Sequence, residues 1–527
     1  MPRRTRRRRL DGWLDPHLLF RAHFTDATHV VWLDGGSDAT SGLSVIAAAH
    51  AGTEFLTADG AAGTITTVRP VASAGRTLTR AATVGDLFDV LAERLAAHRA
   101  DEVDAAVAAV AAAAAAGKAD ADADVPADRP PGPLGWYGWF GYELGAALVG
   151  VPAAEAETPD AAFLWVDRAI VFDHAGHAAE LVWLDGADDD AGAEGDDAGD
   201  DQGTDDEAAA WADELTAVWN GLRGRPEPAA LRSAPPEAPT SALPSSAAPA
   251  VRWRHDDATY TRLIGECQRA IHRGDAYQLC LTNRVDVDAS PDPASTYLAL
   301  RESSPTHHGG YLRFGEHALL SASPELFLHV SRDGVVSTKP MKGTRPRHAD
   351  PVQDRRLRRE LLESDKERAE NLMIVDLMRN DLGRIAELGT VRVPSLLAVE
   401  EYPHVHQLVS TVRARLRHPL TAVDAVRSAF PAGSMTGAPK HSAMRILHEL
   451  EGGPRGVYSG AFGYLAVDGS LDLAMVIRSI VIGPNGASIG TGGGITALSI
   501  ASEEVEETRI KARALLSVLG AATVQRE

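Results

Sequence analysis

The chain has 527 residues, of which 44% are hydrophobic, enough to bury a large core spread over roughly two to four domains. A formal net charge of -21 excludes nucleic acid as the main partner, because phosphate binding needs a basic surface. With two cysteines, Cys267 and Cys280, a disulfide framework and a paired-cysteine zinc motif are excluded, and a reducing cytoplasm fits.

The opening MPRRTRRRRL is basic, but Asp11 and Asp15 stand where a signal peptide would carry its apolar stretch, so it reads as a loose arm. Residues 29–46 predict a strand, a turn at GSDATSG and a second strand. Residues 105–116, nearly all alanine, are too short and too mildly apolar to cross a membrane and read as a solvent-side helix. Residues 119–133 are loop-like. In GWYGWFGYELG, residues 135–145, glycines alternate with aromatics, which suits close backbone approach inside a core. Strands continue through FLWVDRAIVFD and AELVWLD. Residues 185–207 are an Asp and Gly run too polar to pack, expected to be a disordered acidic insertion.

A Pro, Ala and Ser-rich stretch predicts a linker at 236–252, dividing a variable domain, 1–235, from a second domain, 253–527. Residues 256–273 predict a helix, followed by the strand AYQLCLTNRVDV. Residues 310–338 predict antiparallel strands, and residues 457–467, 471–482 and 487–491 a meander. Strand runs between long amphipathic helices predict an α+β fold, a large antiparallel β-sandwich with flanking helices.

Within residues 363–384, ESDKERAENLMIVDLMRNDLGR, Glu367 and Glu370 are three apart, so a helix sets both carboxylates on one face. The apolar run from Leu372 to Met378 calls for burial, and Asn380, Asp381 and Gly383 give a helix stop. The acidic end is either a surface turn offset by Lys366 and Arg368, or half of a site for a hard cation. A second pair, Glu504 and Glu507, sits three apart in SEEVEETRIKARALL, and the two pairs together can close on one ion.

Lys342 lies between a strand and a helix in TKPMKGTRPR; it is either an exposed loop lysine or a nucleophile. A nucleophilic lysine must be neutral, with a pKa lowered by burial or by positive charge from Lys339 and Arg345. Glu325, among the apolar residues of SASPELFL, is either a salt-bridge partner or a carboxyl raised toward neutrality for proton transfer. The glycines of IGTGGGITALS, including Gly492, Gly493 and Gly494, match no dinucleotide fingerprint, and GSMTGAPK is no P-loop; either is a plain turn or a set of backbone amides for an anion. Arg478 interrupts the apolar strand LDLAMVIRSIVI and needs an anionic partner. Lys511 falls one turn after Glu507. Together these residues describe a pocket for a small, multiply anionic molecule.

From about residue 260 to 519 the chain resembles the chorismate-utilising enzymes, through YQLCLTNR, SASPELFL, KPMKGTRPR, DKERAENLMIVDLMRND, FPAGSMTGAPK, GAFGYLAVDGSLDLAMVIRS, GTGGGI and EETRIKA. The first half resembles that family's variable domain through WLDGGSDATSGLSVIA and GWFGYELG. The resemblance implies a chorismate-binding catalytic domain at 253–527 and a fold like that of anthranilate synthase component I. It implies chorismate bound with Mg2+, with Glu370 and Glu507 as direct ligands and Glu367 and Glu504 acting through water. By the same resemblance Tyr458, Arg478, Lys511 and amides near Gly493 hold the substrate carboxylates, and Glu325 serves in acid/base catalysis.

Family members that add water look for lysine at the position of Gln278; glutamine there implies ammonia instead. The form Pro340-Met341-Lys342-Gly343-Thr344 is similar to the members that make aminodeoxychorismate, in which the lysine is a covalent nucleophile, whereas anthranilate synthases carry alanine there. Gln407, beside His406, stands where many relatives have histidine. Neither cysteine lies in a Gly-x-Cys-x-Gly elbow, which implies a separate glutamine amidotransferase subunit as the ammonia source. The alternatives are an anthranilate synthase large subunit and a non-catalytic subunit that binds chorismate or an amidotransferase. A tryptophan pocket around residues 33–44 is matched weakly and stays open.

Overall fold

A computed structural model describes residues 5–70, 78–98, 134–185, 201–223, 249–402 and 405–521. The alanine-rich stretch 105–116, the loop 119–133 and most of the linker 236–252 lie outside the described residues. Two 12-stranded sheets form the body, and every strand pairing is antiparallel.

Alternation along the strands explains why the first sheet reads as nearly continuous apolar sequence. In His29–Asp34 and Leu43–Ala48, Val31 and Val45 face the second sheet, in a core with Leu56, Trp136, Phe163 and Leu465. Their neighbours Val30, Trp32 and Ile46 face flanking helices through Phe20, Trp219, Tyr297 and Leu515. In the second sheet Gly135–Phe140 is held between Ala161–Val166 and Ala461–Ala466. A Cβ on Gly138 would fall 1.9 Å from the Ala162 carbonyl oxygen, so glycine lets that approach occur.

Both sheets mix strands from either side of the expected linker: His29–Asp34 pairs with His308–Phe314, and Gly135–Phe140 with Ala461–Ala466. The division at 236–252 is therefore a division of the chain and not of the sheets. Residues 5–10 of the basic arm are no loose segment. Thr5–Leu10 is an edge strand on Ala178–Leu184, held by Arg7 to Glu180 at 3.1 Å and Arg8 to Asp213 at 2.6 Å, with Arg6 paired to Asp185.

The acidic insertion needs the same correction at its two ends. Asp185 is buried beside Arg6, and residues 201–207 belong to the helix Asp201–Arg223. That helix exists because Ala208, Ala212, Leu215 and Trp219 recur at helical spacing and are buried.

Candidate active site

Two helices and four strands, Gln278–Val287, Met341–Pro346, Val405–Arg415 and Gly486–Ile495, contribute to the site. The helix Asp365–Gly383 starts at Ser364, whose side chain accepts the Glu367 N–H. Its inner face carries Glu370, Asn371, Ile374, Val375, Met378 and Leu382. Leu372 is 43% exposed, because a near-continuous apolar run wraps around a helix and only part of it meets the core. Asp381 is no turn residue: it is buried and meets Lys440 Nζ at 2.8 Å. The second helix, Ala501–Val518, brings Glu504, Glu507 and Lys511.

Between these helices lies a cavity of ≈ 480 Å³. Glu325, Lys342, Thr344, Glu367, Glu370, Tyr458, Arg478, Gly492, Gly493, Gly494, Glu504, Glu507 and Lys511 all line it, as do Cys280, Gln407, Ser434 and Met435. Gln278 stands apart. It is buried behind Gly494, with Nε2 2.3 Å from where a Cβ on that glycine would be, and is not part of the lining. His406 is likewise turned away, with Nε2 2.9 Å from Asp354.

Arg478 does not interrupt one strand. Leu471–Met475 belongs to the second sheet and Ser479–Gly483 to the first, and the chain steps between them with Arg478 in the left-handed region, φ 51. The guanidinium thereby reaches a cavity at the seam of the sheets. Burial lowers its pKa, and Tyr458 and Glu507 act in the opposite sense.

The carboxylates are matched by cations. Lys511 Nζ lies 2.7 Å from Glu507 Oε1 and donates to the Gly492 carbonyl at 2.7 Å. Lys366 Nζ meets Glu504 Oε1 at 2.9 Å, and Arg345 lies 3.7 Å from Glu367. Burial acts to raise Glu507, but Lys511, Lys366 and Lys342 hold it below the usual glutamate value. Glu370 is pushed up by burial, against the pull of Lys342 and Lys366. Among the described residues no three carboxylates converge closely enough to hold a metal ion. The donor set is nonetheless that of a hard cation, and glycine leaves it room. A Cβ on Gly493 would sit 2.9 Å from Glu504 Oε2, and one on Gly494 3.5 Å from Glu370 Oε2.

Lys342 is not an exposed loop lysine, and its surroundings are the reverse of those expected. Burial acts to lower it, but Glu370, Cys280, Glu325 and Glu507 outweigh burial and place its pKa above the ordinary lysine value. Lys339 lies 3.6 Å from Glu400 and Arg345 faces Glu367, so neither supplies the positive charge anticipated for it. Glu325 is raised by burial, opposed by Lys342 and by hydrogen bonds from the Ser434 hydroxyl and the Met341 N–H. A buried carboxyl raised in this way can carry a proton to a leaving group.

Residues 77–517 match the family model described as chorismate binding enzyme. The chain is 46% identical over 395 residues to an aminodeoxychorismate synthase of Streptomyces griseus, covering 75% of this chain and 51% of that one. It thus spans about half the length of that relative. It is 39% identical over 404 residues to anthranilate synthase component 1 of Streptomyces coelicolor, covering 75% of each. The crystal structure of anthranilate synthase component I from Streptococcus pneumoniae superposes with a TM-score of 0.65 at 27% identity, over 91% of this chain and 93% of that one.

Proposed function

The chain belongs to the family of chorismate binding enzymes, and from that premise we propose that it aminates chorismate at C4 to 4-amino-4-deoxychorismate, on the way to para-aminobenzoate and folate. The observation that carries this reading is Lys342, set in the wall of the carboxylate-lined cavity with Glu325 and Cys280 beside it. The 46% identity to a protein named aminodeoxychorismate synthase supports it.

In this mechanism Arg478, Lys511 and the amides of the Gly492 to Gly494 strand hold the two substrate carboxylates, with Thr344 and Tyr458 against the ring. Glu325 gives its proton to the C4 hydroxyl, which leaves as water, while neutral Lys342 Nζ bonds to C2 and both conjugated ring double bonds shift. Ammonia then bonds to C4, both double bonds shift back, and the C2–N bond breaks with its electron pair returning to Lys342 Nζ, which takes up the proton that ammonia loses. The enolpyruvyl ether is untouched, so no pyruvate is released.

A Mg2+ ion bound by Glu370 and Glu507, with Glu367 and Glu504 through water, would neutralise the carboxylates that keep Lys342 protonated and a carboxylate of the substrate. Gln278, an amide behind Gly494, offers no base to activate water. The two thiols are unpaired and buried, which fits a reducing cytoplasm; burial pushes Cys267 up to about 12 and raises Cys280. Neither suits a glutaminase nucleophile, so on this reading ammonia reaches the cavity from a glutamine amidotransferase, proposed as a separate subunit. No helix of the described residues is long and apolar enough to cross a membrane.

The deciding experiment is chorismate consumption with Mg2+ and an ammonium salt at alkaline pH, with pyruvate followed through lactate dehydrogenase. Consumption without pyruvate is expected. Pyruvate in equal amount, with fluorescent anthranilate, would transfer the chain to the second reading, which the Streptomyces coelicolor relative favours. Chorismate binding without turnover would leave a binding subunit.

A further inference from the structure

Directly behind the cavity lies a buried charged group that the reaction does not use. Arg455 has 1% of its side chain exposed and Glu451 4%. The pair is bidentate, with Nε to Glu451 Oε2 at 2.8 Å and Nη2 to Oε1 at 2.6 Å. The other guanidinium hydrogens go to backbone and hydroxyl oxygens. Nη1 donates to the Met435 carbonyl at 2.7 Å and to Ser459 Oγ at 3.3 Å, and Nη2 donates to the Cys280 carbonyl at 3.0 Å. All five donors of the fork are therefore engaged. Its Cζ stands 4.1 Å from the centre of the Tyr142 ring, a cation–π contact.

The partners of this one side chain are distributed over separate walls of the site. Met435 lines the cavity, and its neighbour Ser434 donates to Glu325. Cys280 lines it as well and pairs with Gly494 across the sheet, while Glu451 Oε1 also takes the Thr282 N–H at 3.0 Å, opposite Gly492. Ser459 follows Tyr458. From a fourth side, the two oxygens of Glu143 accept the N–H groups of Arg455 at 2.7 Å and Gly456 at 2.9 Å, fixing the start of the turn that carries Tyr458. Arg455 itself is absent from the lining.

We propose that Arg455, paired with Glu451, is the positioning residue of this active site, holding the Ser434–Glu325 wall, the strand behind the glycine amides and the Tyr458 turn in one register. A buried ion pair is poor evidence of stabilisation, since apolar residues of similar volume often hold a fold as well or better. A planar fork that joins the Met435 and Cys280 carbonyls, the Ser459 hydroxyl and the Glu451 carboxylate has a geometric use that neither lysine nor methionine reproduces. The proposal rests on the amination reading for its turnover measurement alone.

The test compares Arg455→Lys and the double variant Arg455→Met with Glu451→Met against wild type, reading the thermal midpoint, the Kd for chorismate with Mg2+ by calorimetry, and kcat with ammonium. Both variants are expected to melt near wild type, to bind chorismate more weakly and to lose roughly 10- to 100-fold in kcat, the scale of a reacting group displaced by about 1 Å. Folded variants with wild-type Kd and kcat would overturn the proposal. So would failure of both variants to fold, which would assign the pair to stability. If wild type binds chorismate without consuming it, the amination reading falls, and the Kd of the variants still decides the role of Arg455.

Discussion

Tyr458 occupies the space that a side chain on Gly490 would need: a Cβ there would lie 2.0 Å from the Tyr458 Cγ. The contact meets the root of the ring and not a flexible tip, so the tyrosine has to move as a whole. Gly490→Ala is expected to raise KM for chorismate about tenfold, to affect kcat less, and to cost about 1–3 kcal/mol of stability through overpacking. Steady-state kinetics and a thermal melt check both; an unchanged KM would separate Tyr458 from the substrate.

Lys342 and Glu325 differ in what their loss should do. Lys342→Ala removes the group that bonds to C2, so turnover is expected to fall on the order of 10³-fold or more while the chain stays folded. Glu325→Gln removes only proton transfer, an effect of about 10²–10⁴ in kcat. Wild-type turnover in Lys342→Ala would remove the basis for amination.

Magnesium is expected to raise the melting temperature of the wild type. At a hundredfold excess over Kd the gain is about 2.7 kcal/mol. Glu370→Gln should abolish most of that shift without chorismate present. Because burial raises Glu370 and nearby carboxylates raise Lys342, ion binding should also release protons, seen in calorimetry as a heat that depends on the buffer.

Glu143 gives a prediction in pH. Burial pushes it up to about 7 from 4.5, against hydrogen bonds from the backbone N–H groups of Arg455 and of Glu143 itself. A carboxyl raised on folding binds its proton more tightly in the native state, so its contribution favours folding at low pH and fades as pH rises from 4.5 through 7. The span corresponds to roughly 3 kcal/mol. Denaturant melts of Glu143→Gln across that range should show a flatter profile than wild type; identical slopes would mean the carboxyl titrates normally.

Local signals made much of this legible in sequence. The strand, turn and strand at residues 29–46 stand as Leu43–Ala48 against His29–Asp34, because alternation and turn residues are properties of neighbours in the chain. The two glutamate pairs reached one cavity for a similar reason: three-residue spacing on a helix fixes which face they share. What sequence hid depends on remote partners. Thr5–Leu10 is a strand because Glu180 and Asp213 meet its arginines. Lys342 has a raised pKa because Glu370, Glu325 and Glu507 arrive from other elements, and no count of nearby lysines or arginines reveals that. Arg455 lay unnoticed in GGPRGVYSG, since nothing in nine residues says that a charge will be sealed in. The spacing Glu451 to Arg455, four apart, was the available signal, but such pairs usually lie on exposed helix faces.

The step at Arg478 ties the pocket to both sheets at once. One strand leading to the guanidinium belongs to each sheet, so a small slip of one sheet over the other would be felt first as a shift of positive charge beside the substrate. Close packing of Trp136, Phe163 and Leu465 against Val31 and Val45, far from any reacting atom, is then part of what sets affinity, and loosening that interior should blunt recognition before it unfolds the chain.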